Sequence, residues 1–362
     1  MGQIKVLSKE ISELIAAGEV IERPSSVIKE LVENSIDADA TAITVEIKNG
    51  GRTYMRISDN GKGMSAEDVS LAFVRHATSK ISTQDDLNSI FTLGFRGEAL
   101  ASISAVSKTD VLTKRSDDEY GTHYSIEGSV EKVCESAGCP DGTTIIIRDL
   151  FYNVPARLKF LKKDVTESNN ISAIVSRLAL SHPEISFKFI KDNKTELVTT
   201  GDGKLYSAIY SVFGREFANT LLPVSYKMNS LEVEGYISNP LNSRANRSMQ
   251  NFFINNRYVK SVTCMVALEE AYKNSIMTGK FPACVLNIKL SPSFVDVNVH
   301  PAKTEIRFSD EKLIYELMYF AVKNALLAND KPQQMTLETK KPVISQSTLY
   351  QVPMDEVSKN QT

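Results

Sequence analysis

The sequence predicts an α+β fold, a two-layer sandwich whose helices cover one face of a mixed, largely antiparallel sheet, followed by a smaller α/β domain. Three observations lead there. Two helical segments fill the first forty residues, a hairpin-like alternation follows directly, and four strand-like runs separated by short turns crowd residues 108–148. Parallel strands need crossovers of about a dozen residues or more, so strands this close in sequence favour antiparallel pairing over a doubly wound sheet. A chain of 362 residues with 42% apolar content is long enough to build two cores.

Ser8 can cap a first helix carrying Ile11, Leu14 and Ile15, with Gly18 placed to end it. Pro24 suits the first turn of a second helix, whose apolar positions are Val27, Ile28, Leu31, Val32 and Ile36. Glu30 and Asn34 fall one turn apart at the border of that stripe, where a burying helix places a carboxylate only for a reason. Ile43, Val45 and Ile47 alternate, Asn49-Gly50-Gly51 turns, and Met55 and Ile57 lead a second strand into Asp59.

Helical spacing resumes at Ser65. Residues 76–97 loosen into a Thr-, Ser- and Gly-rich segment, expected to be a mobile loop, before a helix over 98–106. Strands are expected at 108–114, 122–127, 130–135 and 143–148. The turn-rich Thr199-Thr200-Gly201-Asp202-Gly203 places a domain boundary, giving a first domain at 1–201, a second domain at 202–330 and a disordered tail at 331–362. There is no internal repeat.

Composition excludes several classes. No run approaches the roughly 20 apolar residues that span a bilayer, and residues 1–10 lack the apolar core of a signal peptide. A cytoplasmic protein without membrane contact is the expectation. Cys134, Cys139, Cys264 and Cys284 make no zinc-ligand spacing and read as free thiols. His76, His123, His182 and His300 form no triad or metal set in the sequence and receive no catalytic step. With 42 basic against 44 acidic residues, nucleic acid must be met by a local patch. Between residues 239 and 281 six basic residues, among them Arg244, Arg247, Arg257 and Lys260, face two acidic ones. Such an excess can contact phosphates without reading bases, or be a solvated face.

Four segments carry possible chemistry. Glu30 and Asn34 could share a ligand: an amide oxygen suits Mg²⁺ and a carboxylate can take a proton from water, although a helical Glu is usually only solvated. In Asp59-Asn60-Gly61-Lys62-Gly63-Met64 the carboxylate can accept from an exocyclic amine and the glycines let backbone approach, but the run also reads as a turn. Gly94-Phe95-Arg96-Gly97-Glu98-Ala99-Leu100 precedes a helix start, where free N–H groups favour phosphate. The P-loop pattern is absent. In Val299-His300-Pro301-Ala302-Lys303 the lysine taken alone is a surface residue.

Taken in order, residues 30–38, 59–63, His76-Ala77-Thr78-Ser79-Lys80, 94–100 and 299–303 resemble the motifs of the MutL family of DNA mismatch repair proteins. That family shares a superfamily with gyrase B, a heat-shock chaperone and sensor histidine kinases. The resemblance covers about residues 1–329. It implies a Bergerat-type ATP-binding fold and a second domain similar to ribosomal protein S5 domain 2, with ATP and Mg²⁺ as cofactors. By this resemblance Glu30 is the general base, Asn34 binds Mg²⁺, and Asp59 reads adenine with help from Thr143. Gly63 joins the nucleotide loop. Residues 78–97 would be a lid, contributing Thr78, Ser79, Lys80, Gly94, Phe95, Arg96 and Gly97, and Lys303 would reach the γ-phosphate from the second domain.

The resemblance also implies a mismatch repair ATPase that dimerises with a second copy on binding ATP, clamps DNA without sequence preference, and couples the mismatch-recognition protein MutS to strand incision and excision. Asn256 stands where the family usually has glycine, and nothing after Lys331 resembles the family's C-terminal dimerisation and endonuclease domain. Two rivals remain: an ATP-gated scaffold with negligible turnover, opposed by the intact Glu30, and a type II topoisomerase or kinase relative, opposed by the lack of a phospho-acceptor helix or further topoisomerase domain.

Overall fold

A computed structural model describes residues 9–78, 97–291, 294–296 and 307–329. The chain opens with helices α1 (Lys9–Val20) and α2 (Pro24–Asp37), hairpin strands β1 (Ala42–Lys48) and β2 (Tyr54–Asp59), and helices α3 (Ala66–Ala72) and α4 (Ala99–Ala105). Strands β3 (Lys108–Lys114), β4 (Gly121–Glu127), β5 (Val130–Ala137) and β6 (Gly142–Arg148) follow, then α5 (Pro155–Phe160), α6 (Asp164–Ser181), β7 (Ser186–Lys191) and β8 (Lys194–Val198). The eight strands form one sheet in the order β5-β4-β3-β6-β2-β1-β7-β8. Only β1 and β7 pair in parallel, across the crossover that contains α6. The sheet is therefore mixed and largely antiparallel, as expected.

Alternation explains why these runs are strands. In β1 and β3 every second residue is buried, and those side chains meet α2 and α6 in one core. Val27, Ile28, Leu31 and Val32 of α2 are at most 1% exposed; each contributes about 1.5–3 kcal/mol by leaving water. Helix α1 corrects one expectation: it continues past Gly18 to Val20. The carbonyls of Gly18 and Ile21 each accept from the Arg157 guanidinium at 2.6 Å, so a distant arginine caps this helix end. A Cβ on residue 18 would stand 2.4 Å from Arg157 Nη2; the glycine serves close approach, not termination.

The rest of the described chain runs α7 (Leu205–Phe213), α8 (Arg215–Ala218), β9 (Leu221–Met228), β10 (Leu231–Ser238), β11 (Gln250–Ile254), β12 (Arg257–Val259), α9 (Val262–Ala271), β13 (Cys284–Lys289), β14 (Val295–Asp296), β15 (Arg307–Phe308) and α10 (Glu311–Asn329). Its main sheet has the order β12-β11-β13-β10-β9, and α9 and α10 share its core. A third apolar cluster joins Leu180 of α6 and Ile209 of α7 to Phe253 and Val285 of this second sheet. Both sheets thus lie in one compact unit, Met1–Asn329; the other unit, Asp330–Thr362, with the expected tail, lies outside the described residues.

Candidate functional site

Helix α2 sets the site. With Val27, Ile28, Leu31 and Val32 turned into the core, Glu30 and Asn34 come to the half-buried border of the helix, where their spacing put them. The next residue, Ser35, faces inward: its hydroxyl is buried and donates to Asp59 Oδ2 at 2.6 Å. Asp59 closes β2, one strand from β6, where it stands opposite Thr143. Its Oδ1 accepts from the backbone N–H of Gly61 at 2.9 Å and of Thr143 at 3.3 Å. Three protein donors thus orient one half-buried carboxylate, and a carboxylate has about four acceptor positions, so capacity for a ligand amine remains.

The loop after Asp59 is pressed against β3. Gly63 has φ +67°, and a Cβ there would lie 2.1 Å from the Lys114 carbonyl oxygen, so a side chain is excluded. Met64 N–H donates to Thr113 Oγ1 at 2.9 Å, and Thr113 Oγ1 lies 3.0 Å from Thr143 Oγ1. Asp59, Gly63 and Thr143 are therefore fixed together with the C-terminal half of α2. Sequence reasoning missed Ser35 and Thr113. The available signal was a hydroxyl four residues after Leu31, on the apolar stripe, which needed a buried partner.

Thr78 and Gly97 flank residues 79–96, and the two flanks touch: His76 N–H donates to the Gly97 carbonyl at 3.0 Å. Ser79, Lys80, Gly94, Phe95, Arg96 and Lys303 lie outside the described residues. No cluster of three His, Cys, Asp or Glu that could hold a metal occurs among the described residues. Mg²⁺ is usually bound by one or two protein oxygens and otherwise by phosphate oxygens and water, so a nucleotide-borne ion needs no such cluster.

Beside Glu30 lies a charged group that sequence reasoning did not single out. Lys29 Nζ is 3.1 Å from Glu30 Oε1 and 3.1 Å from Glu33 Oε1. Glu33 is only 5% exposed. Burial raises its pKa above the usual carboxylate value, opposed by Lys29 and by Arg257 of β12. Lys29 is held above the usual lysine value because Glu33 and Glu30 outweigh its own burial.

The four basic residues proposed for DNA have differing local engagements. Arg247 donates to both carboxylate oxygens of Glu269, at 2.6 and 3.0 Å, and lies 4.1 Å over the Phe281 ring. Arg244 lies over Phe217, its Nε buried without a hydrogen-bond partner. Arg257 is half-buried and its charge favours the Glu33 anion, and Lys260 is exposed. Among the described residues no helix is long and apolar enough to cross a membrane, and the four cysteines are free thiols.

Two family patterns match the chain. Residues 22–136 match the histidine kinase-, DNA gyrase B-, and HSP90-like ATPases, and residues 209–327 match a family described as DNA mismatch repair protein, C-terminal domain. The DNA mismatch repair protein MutL of Agathobacter rectalis is 53% identical over 315 residues, covering 87% of this chain and 48% of the relative. That of Symbiobacterium thermophilum is 47% identical over 326 residues, covering 90% and 51%. The chain spans about half the length of the curated relatives it matches. Among solved structures, the N-terminal domain of a DNA repair protein superposes with TM-score 0.75 at 27% identity, over 88% of this chain and 98% of that one. The Aquifex aeolicus MutL ATPase domain complexed with ADP gives TM-score 0.59 at 26% identity, over 83% and 98%.

Proposed function

The chain belongs, over the residues compared, with the N-terminal ATPase region of the MutL DNA mismatch repair proteins, and from that premise we propose that it binds ATP with Mg²⁺ and hydrolyses it slowly. The observation that carries this is the Asp59 carboxylate at the end of β2, oriented by Ser35, Gly61 and Thr143 and tied through Ser35 to the helix that carries Glu30 and Asn34. Asp59 accepts from the adenine amine. Asn34 supplies its amide oxygen to Mg²⁺, which when bound neutralises phosphate charge. Glu30 takes the proton of the attacking water, and Lys303, reaching from the second domain, stabilises charge moving toward the leaving group. Thr78, Ser79, Lys80, Gly94, Phe95, Arg96 and Gly97 cover the phosphates. An A. aeolicus relative was solved with ADP, which supports the nucleotide.

In this reading the ATP-binding domain is 1–201 and the domain carrying Lys303 is 202–330. Nucleotide contacts from both lock them together, a second copy joins, and the pair closes on DNA in the cytoplasm, with MutS upstream and strand incision downstream. Arg244, Arg247, Arg257 and Lys260 are the proposed DNA-facing residues. The test is phosphate release from Mg²⁺-ATP across a range of protein concentrations, beside Glu30→Ala. A specific rate that rises with concentration, and falls by about a hundredfold or more in the variant, is expected; ADP binding with no release from either protein would move the reading to a non-hydrolysing scaffold.

A further inference from the structure

Glu33 is a buried acid that the proposed chemistry does not use. An ionised carboxylate taken out of water is costly unless paired. Here the pairing comes from two directions. From its own helix Lys29 Nζ reaches Glu33 Oε1 at 3.1 Å and Oε2 at 3.2 Å; from the second sheet Arg257 places its charge near enough to favour the anion. The same ammonium donates to Glu30 Oε1 at 3.1 Å. Side-chain exposures are 22% for Lys29, 25% for Glu30 and 7% for Glu33, so the cation is most sheltered on the Glu33 side and least where it meets Glu30.

We propose that Lys29 is a positioning residue for Glu30, and that Glu33 fixes Lys29 in that role. The proposal deepens the ATPase reading and rests on Glu30 as the base. A glutamate has three rotatable side-chain bonds, and a base must present one oxygen to water at a narrow range of distance and angle. A cation on Oε1 restricts those rotations and leaves Oε2 for the water. It also separates two carboxylates, Glu30 and Glu33, that stand three residues apart on one helix face and repel. The second sheet enters because Arg257 opens β12, and its neighbour Tyr258 lies 4.1 Å beneath the Arg177 guanidinium of α6. Helix α6 packs in turn against α2. Through α6 the second sheet's β12 is thus braced near α2, and the Arg257 charge favours the Glu33 anion.

The experiment uses the full chain with Mg²⁺-ATP, and compares Lys29→Met, Lys29→Arg, Arg257→Gln and the double variant Lys29→Met with Glu33→Gln. Phosphate release gives kcat and KM, ADP titration gives affinity, and thermal unfolding monitors the fold. Lys29→Met should lower kcat by about tenfold to a hundredfold, the scale of a misplaced catalytic group, while KM and ADP affinity change by less than about twofold. Lys29→Arg should recover most of the rate, and Arg257→Gln should lower kcat in the same direction. The double variant carries no unpaired buried carboxylate, so it should fold even if Lys29→Met does not, and it should remain slow. An unchanged kcat in a folded Lys29→Met protein overturns the proposal, and so does a loss confined to KM or ADP affinity. Full activity of the double variant would reduce Lys29 to a counter-ion. A wild-type chain that binds ADP yet releases no phosphate would instead sink the ATPase reading, and the positioning role with it.

Discussion

Ser35 shows what a single hydroxyl can do when it sits on the wrong face of an amphipathic helix. It occupies the apolar side of α2, and its hydrogen bond to Asp59 spans 24 residues of sequence. A hydrogen bond to a charged acceptor is worth about 1.5–3 kcal/mol, so Ser35→Ala should weaken ADP binding by about tenfold or more. Titration with ADP at unchanged thermal stability checks this; affinity within twofold of wild type would mean that Gly61 and Thr143 orient Asp59 without help. Glu30 and Asn34 were legible because the border of an apolar stripe is a local, periodic property. Ser35 with Asp59 was not, because that pair forms only when distant segments meet.

At the scale of elements, strands were the most legible. The predicted run at 108–114 coincides with β3, and the others differ only at their ends, since alternation registers burial on one side of a sheet residue by residue. Sheet order was beyond reach: the parallel pairing of β1 with β7 joins segments separated by more than a hundred residues. Helix α1 shows the converse, a local signal overruled. Gly18 reads as a stop, yet Arg157 supplies the donors that the helix end needs. Arg157→Gln should therefore fray α1, at a cost of about 2 kcal/mol for charge-assisted bonds to two carbonyls. Hydrogen exchange should show lost protection in the last turn of α1 and at Ile21, with the β-sheet amides unaffected; uniform loss would point to a global defect, and no loss would mean that the carbonyls find other donors.

For the molecule as a whole, α6 is the shared wall. It packs on α2, contributes Leu180 to the cluster that reaches Phe253 and Val285 of the second sheet, and carries Arg177 over Tyr258. That one helix serves both sheets was not readable from its periodicity, which marks apolar positions but not their partners. Its end is capped by His182, buried, with Nδ1 2.9 Å from Ser181 Oγ. Burial lowers the imidazole pKa below its usual 6.5, only partly opposed by Glu184 and Asp37. The folded protein therefore prefers the neutral ring, while the unfolded chain takes up a proton near the ordinary value. The stability contributed by this group is full above that value and is lost as pH falls through it, until the folded pKa is reached and the loss levels off. Urea midpoints measured from neutral pH downward should fall over this window, with probes in the two sheets moving together because α6 braces both. His182→Gln keeps a polar side chain without the titration and should flatten that part of the profile; an unchanged pH dependence in the variant would assign the acid sensitivity to other groups.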